Sequence, residues 1–337
     1  MTTFTRRGAM GLLGGAATLP MLGRPALANT KMTVGALRFT SHAASFVAYE
    51  RGYFAEAGLD VEFRFFQAAQ PMAVAIASGD ADYAVTAVSG GLISLAEKGA
   101  AKVIGGALSE EPGIDGQKIL ASNAAFDAGL TSPEMLDGKR FAMTQAGSSF
   151  HYMGSKIAAA ESAEMQFVPL QKVGAIIGAL KSGQVDAWSI VPHIAKALAG
   201  GGAVQIIGDV ADYIPDYQVT TVFTSADNAA NERAQTEAFL SAFARGADDF
   251  NAALVDKTAG ADAAEDMVRL IHKYVYTDRP YEKAAPSIRN GAMRINAGAA
   301  LNTGSVQDQL DWFKAEGLVK PSVTMDTLVD ASYVDTM

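Results

Sequence analysis

The sequence predicts an α/β protein made of two copies of one βαβαβ unit, each with a mainly parallel sheet flanked by helices. Three observations carry that prediction. Short apolar runs of strand length alternate with stretches of helical periodicity. The segments AIASGDAD (75–82) and ALKSGQVD (179–186) match at an offset of 104 residues. The same offset pairs Thr40 with Thr144, Ser45 with Ser149, Phe46 with Phe150, Phe63 with Phe167 and Asp82 with Asp186. One offset kept across several elements marks an internal duplication rather than a chance match.

In the first copy TVGALRFT (33–40) reads as a strand, and SHAAS opens a helix that runs past Ala48, Tyr49 and Phe54 to a stop at Gly58. LDVEFRFF (59–66) is the second strand, a helix over 71–77 stops at Ser78-Gly79, and ADYAVTAV (81–88) is the third strand. The second copy repeats the order with KRFAMT, GSSFHYMGSKIAAAE, MQFVPL, KVGAIIGALK and VDAWSIV. Near-continuous apolar strands imply parallel sheets covered on both faces. Such sheets bind ligands beyond the carboxyl ends of their strands, so two copies supply two sets of ligand-facing loops. Beyond 228 the chain reads as helices that buttress the first copy, with Ser305 and Asp308 spaced as a capping box.

The N-terminus has the grammar of an export signal: Arg6 and Arg7, an apolar Gly-rich middle, then Ala26-Leu27-Ala28. We expect residues 1–28 to be a signal peptide cleaved after Ala28, its adjacent arginines resembling the twin-arginine type, and the mature protein to be periplasmic. Removing Arg6, Arg7 and Arg24 with no acid takes the formal charge from −9 to −12. An acidic chain without a basic run excludes nucleic acid as a partner and argues against direct membrane insertion. The chain has no cysteine, which excludes disulfides, thiolate metal sites and a lipid-anchored cysteine.

GYFAEAGLDVEF (52–63), ASGDADYAVT (77–86), LKSGQVDAW (180–188) and DWFKAEGLVKPSVTMDTLVDASYV (311–334) together resemble the nitrate, taurine and alkanesulfonate branch of periplasmic substrate-binding proteins of ABC importers. The resemblance spans the mature chain. It implies the type II periplasmic binding protein fold, in which two lobes close on a small molecule. Lobe I would comprise 29–112 and 219–337 and lobe II 113–218, with the chain crossing at PGIDG (112–116) and IPDYQ (214–218). It further implies a monomer that captures a small organic anion (a sulfonate, an aromatic carboxylate or a heterocyclic precursor), without cofactor or turnover, for an ABC permease in the inner membrane. Two alternatives use the same fold: a sensor component that presents its ligand to a membrane receptor, and an exported enzyme. The fold's thiamine-pyrimidine-forming enzymes carry a cysteine-rich motif that is absent here.

The loops at the strand ends supply the candidate ligand-binding residues. From the first copy these are Arg38, Ser41, His42, Ser45, Thr86, Ser89 and Ser109; from the second, Gln145, Ser148, Ser149, His151, Trp188 and Val191. SHAAS and QAGSS place hydroxyls at helix starts, where free N–H groups and the positive end of the helix dipole favour an anion. Each serine is equally compatible with a simple N-cap. Arg38 is suited to a bidentate grip on an anion or to a structural ion pair. Trp188, Phe39, Phe66, Tyr152 and Tyr217 are candidate aromatic walls or core. GSSFH lacks the second Gly of a G-x-S-x-G elbow, and His151 lies too near along the helix to serve either serine as base. His42, His151, His193 and His272 show no metal-ligand spacing, so no metal site is expected.

Overall fold

The computed structural model describes residues 30–337, so the signal-peptide expectation for 1–28 lies outside the described residues. The chain lays down β1 (Thr30–Ala36), β2 (Leu59–Phe65), β3 (Tyr83–Thr86) and β4 (Lys102–Gly106) in the first sheet. It then crosses to build β5 (Lys118–Ser122), β6 (Arg140–Met143), β7 (Gln166–Pro169), β8 (Ala187–Ile190) and β9 (Val204–Asp209) in the second. It returns with β10 (Thr221–Thr224). The strand orders are β2-β1-β3-β10-β4 and β7-β6-β8-β5-β9.

Four strands of each sheet run one way and one runs against them. β10 is antiparallel to β3 and β4, and β5 is antiparallel to β8 and β9. Each reversed strand is the first one laid down after the chain crosses over, so it enters from the opposite end. β3 and β8 are buried at every position, which explains why their sequences are continuous apolar runs rather than alternating ones.

The helices are α1 (Ala43–Glu50), α2 (Tyr53–Glu56), α3 (Ala69–Ala77), α4 (Gly90–Glu97), α5 (Asn123–Asp127), α6 (Ser149–Glu161), α7 (Val173–Lys181) and α8 (Pro192–Gly200). After β10 come α9 (Ala226–Asn231), α10 (Arg233–Phe250), α11 (Ala261–His272), α12 (Tyr281–Arg289), α13 (Thr303–Ala315) and α14 (Met325–Leu328). No described helix is long and apolar enough to cross a membrane.

The Ser-Gly-x-x-Asp repeat has a physical explanation. Gly79 and Gly183 end α3 and α7 in the left-handed conformation, at φ +75° and +72°. The N–H groups of Asp80 and Gln184 then bond back to the carbonyls of Ala75 and Ala179. Asp82 accepts from the Thr33 N–H at 2.7 Å and Asp186 from the Arg140 N–H at 2.8 Å, so each motif fastens its third strand to the start of its first.

Those bonds fix which residues of the two copies are equivalent. Thr33 corresponds to Arg140, an offset of 107, and the pairing of Val34 with Tyr83 and of Phe141 with Ala187 agrees. From β2 and β7 onward the offset is 104, and α3 and α7 match end for end. The second copy is therefore three residues shorter between its first and second strands. This corrects the upstream extension of the repeat: the structural counterpart of Ser41 is Ser148, and Ser45 corresponds to Tyr152 rather than to Ser149.

The C-terminal helices do more than buttress the first lobe. α10 lies against α1 so closely that a Cβ at Gly246 would stand 2.2 Å from the Ala44 carbonyl oxygen. α13 sinks Phe313 into the first lobe's core yet also reaches the second: Asp308 accepts from Tyr152 Oη and, at 3.0 Å, from Lys156 Nζ. α13 is capped by Asn302, whose side chain accepts from the Ser305 N–H. The capping box expected of Ser305 and Asp308 is thus not formed; Ser305 Oγ accepts from the Gln218 N–H instead.

Candidate functional site

Between the sheets lies a cavity of about 60 Å³, walled by both lobes. Leu37, Phe39, Ser41 and His42 come from the turn after β1, Thr86 and Ala87 from the end of β3, and Ala68 and Ala69 from the start of α3. The second lobe supplies Gln117, Thr144, the α6 start at Ser148 to Phe150, Val173, Ile190 and Val191. Val219 and Thr220 close it from the returning crossover. These are the carboxyl ends of the parallel strands, where the duplication places ligand loops.

Every polar group on this wall is neutral. His42 is buried, and burial holds its pKa down at about 3. Its Nδ1 accepts from the Leu37 N–H at 3.4 Å, which assigns the proton to Nε2 and makes the ring a donor. Ser148 Oγ caps α6 by accepting from the His151 N–H, which leaves its own hydroxyl proton free. Thr220 Oγ1 likewise accepts from the Leu108 N–H at 2.9 Å and keeps a proton to give. The N–H groups of Ser149 and Phe150 are the first two of α6 and have no carbonyl one turn back within the helix. Gln117 is 2% exposed, and its backbone N–H and side-chain amide both face the Glu110 carboxylate.

The structure brings six of the expected residues to the cavity: Ser41, His42, Thr86, Ser148, Ser149 and Val191. Arg38 lies at the outer mouth of the cleft. The others have different duties. Ser45 is fully buried one turn into α1 with an unpartnered Oγ, because a 3-10 turn over Thr40–His42 starts the helical path earlier than SHAAS implied. Ser89 caps α4, and Ser109 donates to Asn296 Oδ1 at 2.6 Å. Gln145 faces a surface recess beside α4. His151 Nδ1 accepts from the Gly147 N–H at 3.2 Å, and its ring packs edge-on to Trp312. Trp188 is fully buried behind Phe150. Of the aromatic candidates, Phe39 lines the cavity, while Tyr152 and Tyr217 are core. Sequence reasoning missed Gln117, Thr144 and Thr220; Thr144 and Thr220 end or follow apolar runs, and Gln117 follows the turn PGIDG.

The lobes are drawn together around this cavity. The Gly90 N–H at the start of α4 donates across the cleft to the Gly147 carbonyl at 2.9 Å. Gly147 holds φ +72°, and a Cβ there would meet the Phe313 ring at 3.4 Å. On the other flank Tyr276 Oη lies 3.0 Å from both Nδ1 and the carbonyl oxygen of His193. Lys196 on α8 reaches Asp115 and the Asn290 carbonyl.

This arrangement offers converging donors without a nucleophile's base. His42 Nδ1 and His151 Nδ1 are both occupied by backbone N–H groups, so neither imidazole presents a free acceptor nitrogen to Ser148 or Ser149. Among the described residues no three His, Asp or Glu side chains gather as metal ligands would.

A family model described as NMT1/THI5 like matches residues 39–253. No curated protein sequence matches the chain. Among solved structures, the alkanesulfonate-binding protein SsuA from Xanthomonas axonopodis pv. citri, bound to MOPS, superposes with a TM-score of 0.71 at 16% identity, over 90% of this chain and 99% of that one. A Candida albicans protein, the CA3427 gene product, described as having the generic periplasmic binding protein fold, gives 0.68 at 17%, over 91% and 97%. The periplasmic nitrate-binding protein NrtA from Synechocystis PCC 6803 gives 0.67 at 14%, over 88% and 84%. At such identities the likeness is one of fold: two mixed sheets, each flanked by helices, facing one another across a cleft.

Proposed function

The chain belongs to the NMT1/THI5-like family, and on that premise we propose that it captures a small organic anion between its lobes and delivers it to an ABC import permease. The observation that carries this reading is the cavity itself: a space between the lobes to which both contribute neutral donors, His42 from the first and the Ser148 hydroxyl with the start of α6 from the second. Neutral donors and helix starts satisfy a strongly accepting group of the ligand without a fixed counter-charge. The occupied imidazole nitrogens favour binding without turnover. The names of the sulfonate- and nitrate-binding structures of like fold support an anionic ligand.

Capture would work by population shift. Ser41, His42 and Thr86 belong to one lobe and Ser148, Ser149 and Gln117 to the other, so a ligand touching both favours the closed arrangement by its differential affinity for it. The closed form, latched by the Gly90 to Gly147 bond, is the shape a permease would recognise as loaded. In this reading the protein acts as a periplasmic monomer.

A thermal-shift screen of residues 29–337 against sulfonates, aryl carboxylates and small heterocycles tests the reading. Ligand at a hundredfold its Kd adds about 2.7 kcal/mol of stability and raises the melting temperature visibly. A flat response to all three classes contradicts it.

A further inference from the structure

Outside the neutral cavity the same cleft widens into a groove of about 350 Å³; Leu37, Phe39 and Val173 line both spaces. The groove differs from the cavity in two respects. Its walls carry half-buried aromatic rings, Phe39, Phe65, Phe66 and Tyr276, and it holds three cations, Arg38, Lys181 and Arg279, with no acid on its lining. In a chain of formal charge −9 this is a local inversion of sign.

The cations are uncommitted. Among the described residues none of the three has a carboxylate within 4.0 Å, whereas Arg140, Arg245, Arg289 and Arg294 all do. Two of them are held in place. The Arg38 guanidinium lies 3.7 Å over the Phe65 ring and donates to the Tyr274 carbonyl at 3.1 Å. The Arg279 guanidinium stands 4.8 Å from the Tyr276 ring centroid, and the backbone N–H of Arg279 donates to the Tyr276 carbonyl, which closes the turn that carries it. Asp278 in the same loop acts on Tyr276 without lining the groove. Tyr276 itself occupies the left-handed region at φ +58°, a strained setting for a bulky aromatic residue. Its hydroxyl bonds to His193 of the other lobe, so the ring is fixed when the lobes are together.

We propose that this groove is the outer half of the ligand site and takes an aromatic ring bearing a carboxylate or sulfonate, with the ligand's neutral, hydrogen-bonding end inside the cavity. The inference deepens the binding-protein reading and rests on it. The reason is electrostatic. The inner cavity has no charged residue and space for only a few water-sized groups, so a full charge is better placed at the mouth, where guanidinium and ammonium groups neutralise it and rings supply stacking area. The cationic mouth also draws anions toward an otherwise acidic protein.

Calorimetric titration with four probes tests this: 4-hydroxybenzoate, 4-hydroxybenzenesulfonate, the uncharged 4-hydroxybenzamide and the aliphatic ethanesulfonate. Wild type binds at least one aromatic anion at least tenfold tighter than the amide. The double variant Arg279→Gln, Lys181→Gln, both at exposed positions and with an unchanged melting temperature, brings that preference within twofold while the amide's affinity stays the same. A preference that survives in the double variant places the anion inside the cavity and overturns the proposal, as does an amide that binds as tightly, or a failure of both aromatic anions to bind. Binding of ethanesulfonate alone sinks the groove assignment and leaves the binding-protein reading intact. If no probe binds, the groove assignment falls, and a flat response across the wider thermal-shift screen then removes the binding-protein reading with it.

Discussion

Ser45 and Ser148 put the same hydroxyl to opposite uses. Ser148 caps α6 and still has a proton to offer the cavity, while Ser45 Oγ is buried in α1 with nothing to bond. Ser148→Ala should therefore cost about 1 kcal/mol of stability through the lost cap and about tenfold in ligand affinity through the lost donor. Ser45→Ala should leave affinity unchanged and the melting temperature level or raised, because it removes an unsatisfied buried polar atom. Paired melting and titration measurements on the two variants check this; weaker binding in Ser45→Ala would refute the assignment of sites. The sequence pairs Ser45 instead with the neighbouring Ser149, since Ser45-Phe46 and Ser149-Phe150 coincide at the duplication offset. What the two copies share in this region is the bond from Asp82 or Asp186 to the first strand, and that registers Ser41 with Ser148. A bond of that kind is invisible until strand partners are known. Gln117 escaped notice for a related reason: it follows a crossover turn, which lies outside the repeated βαβαβ unit.

The elements that join the lobes carry the molecule's least comfortable acid. Glu110 lies between β4 and β5, 4% exposed, with Oε1 accepting from the Gln117 N–H at 3.0 Å and Oε2 unpartnered. Burial raises its pKa to about 7. A carboxyl raised in the folded state stabilises fully below its unfolded value of about 4.5 and loses that contribution as pH rises to about 7. Glu110→Gln keeps the acceptor for Gln117 without the charge. Its melting temperature should exceed wild type by a margin that grows from pH 4.5 to 7 and then levels off. A margin independent of pH would show that Glu110 does not titrate in this range. His42 and His193, both held near 3 by burial, slope the other way: they cost stability as pH falls below about 6.5. Comparing variant with wild type cancels that slope. At this scale α3, α7, β3 and β8 were plain in the sequence, because apolar period and the Ser-Gly stop are local signals. The reversed strands β5 and β10 were not, since direction follows from where the chain re-enters a sheet.

At the scale of the whole molecule, the duplication, the family motifs and the fold agree on two facing units. The C-terminal helices depart from the simple division of labour. α13 belongs to the first lobe through Phe313 and grips the second through Asp308 and Trp312. α12 approaches α8 so closely that a Cβ on Gly291, just beyond its end, would overlap the His193 backbone. Helical periodicity announced these helices but not their second contacts, which join residues 94 to 156 apart in sequence. These contacts, the Gly90 to Gly147 bond and the Tyr276 to His193 pair all join the two lobes, so the proposed closure would make them together.

Because the chain has no cysteine, two introduced thiols are unique labelling sites. Lys98→Cys, exposed beyond the end of α4, and Ala160→Cys, exposed near the end of α6, report on one lobe each. The measurement is the spin-label distance between them, by pulsed electron resonance, without ligand and with a saturating binder from the thermal-shift screen. The distance distribution should shorten and narrow when the ligand binds. An identical distribution in both states, with binding established by titration, would contradict closure of two lobes on one ligand.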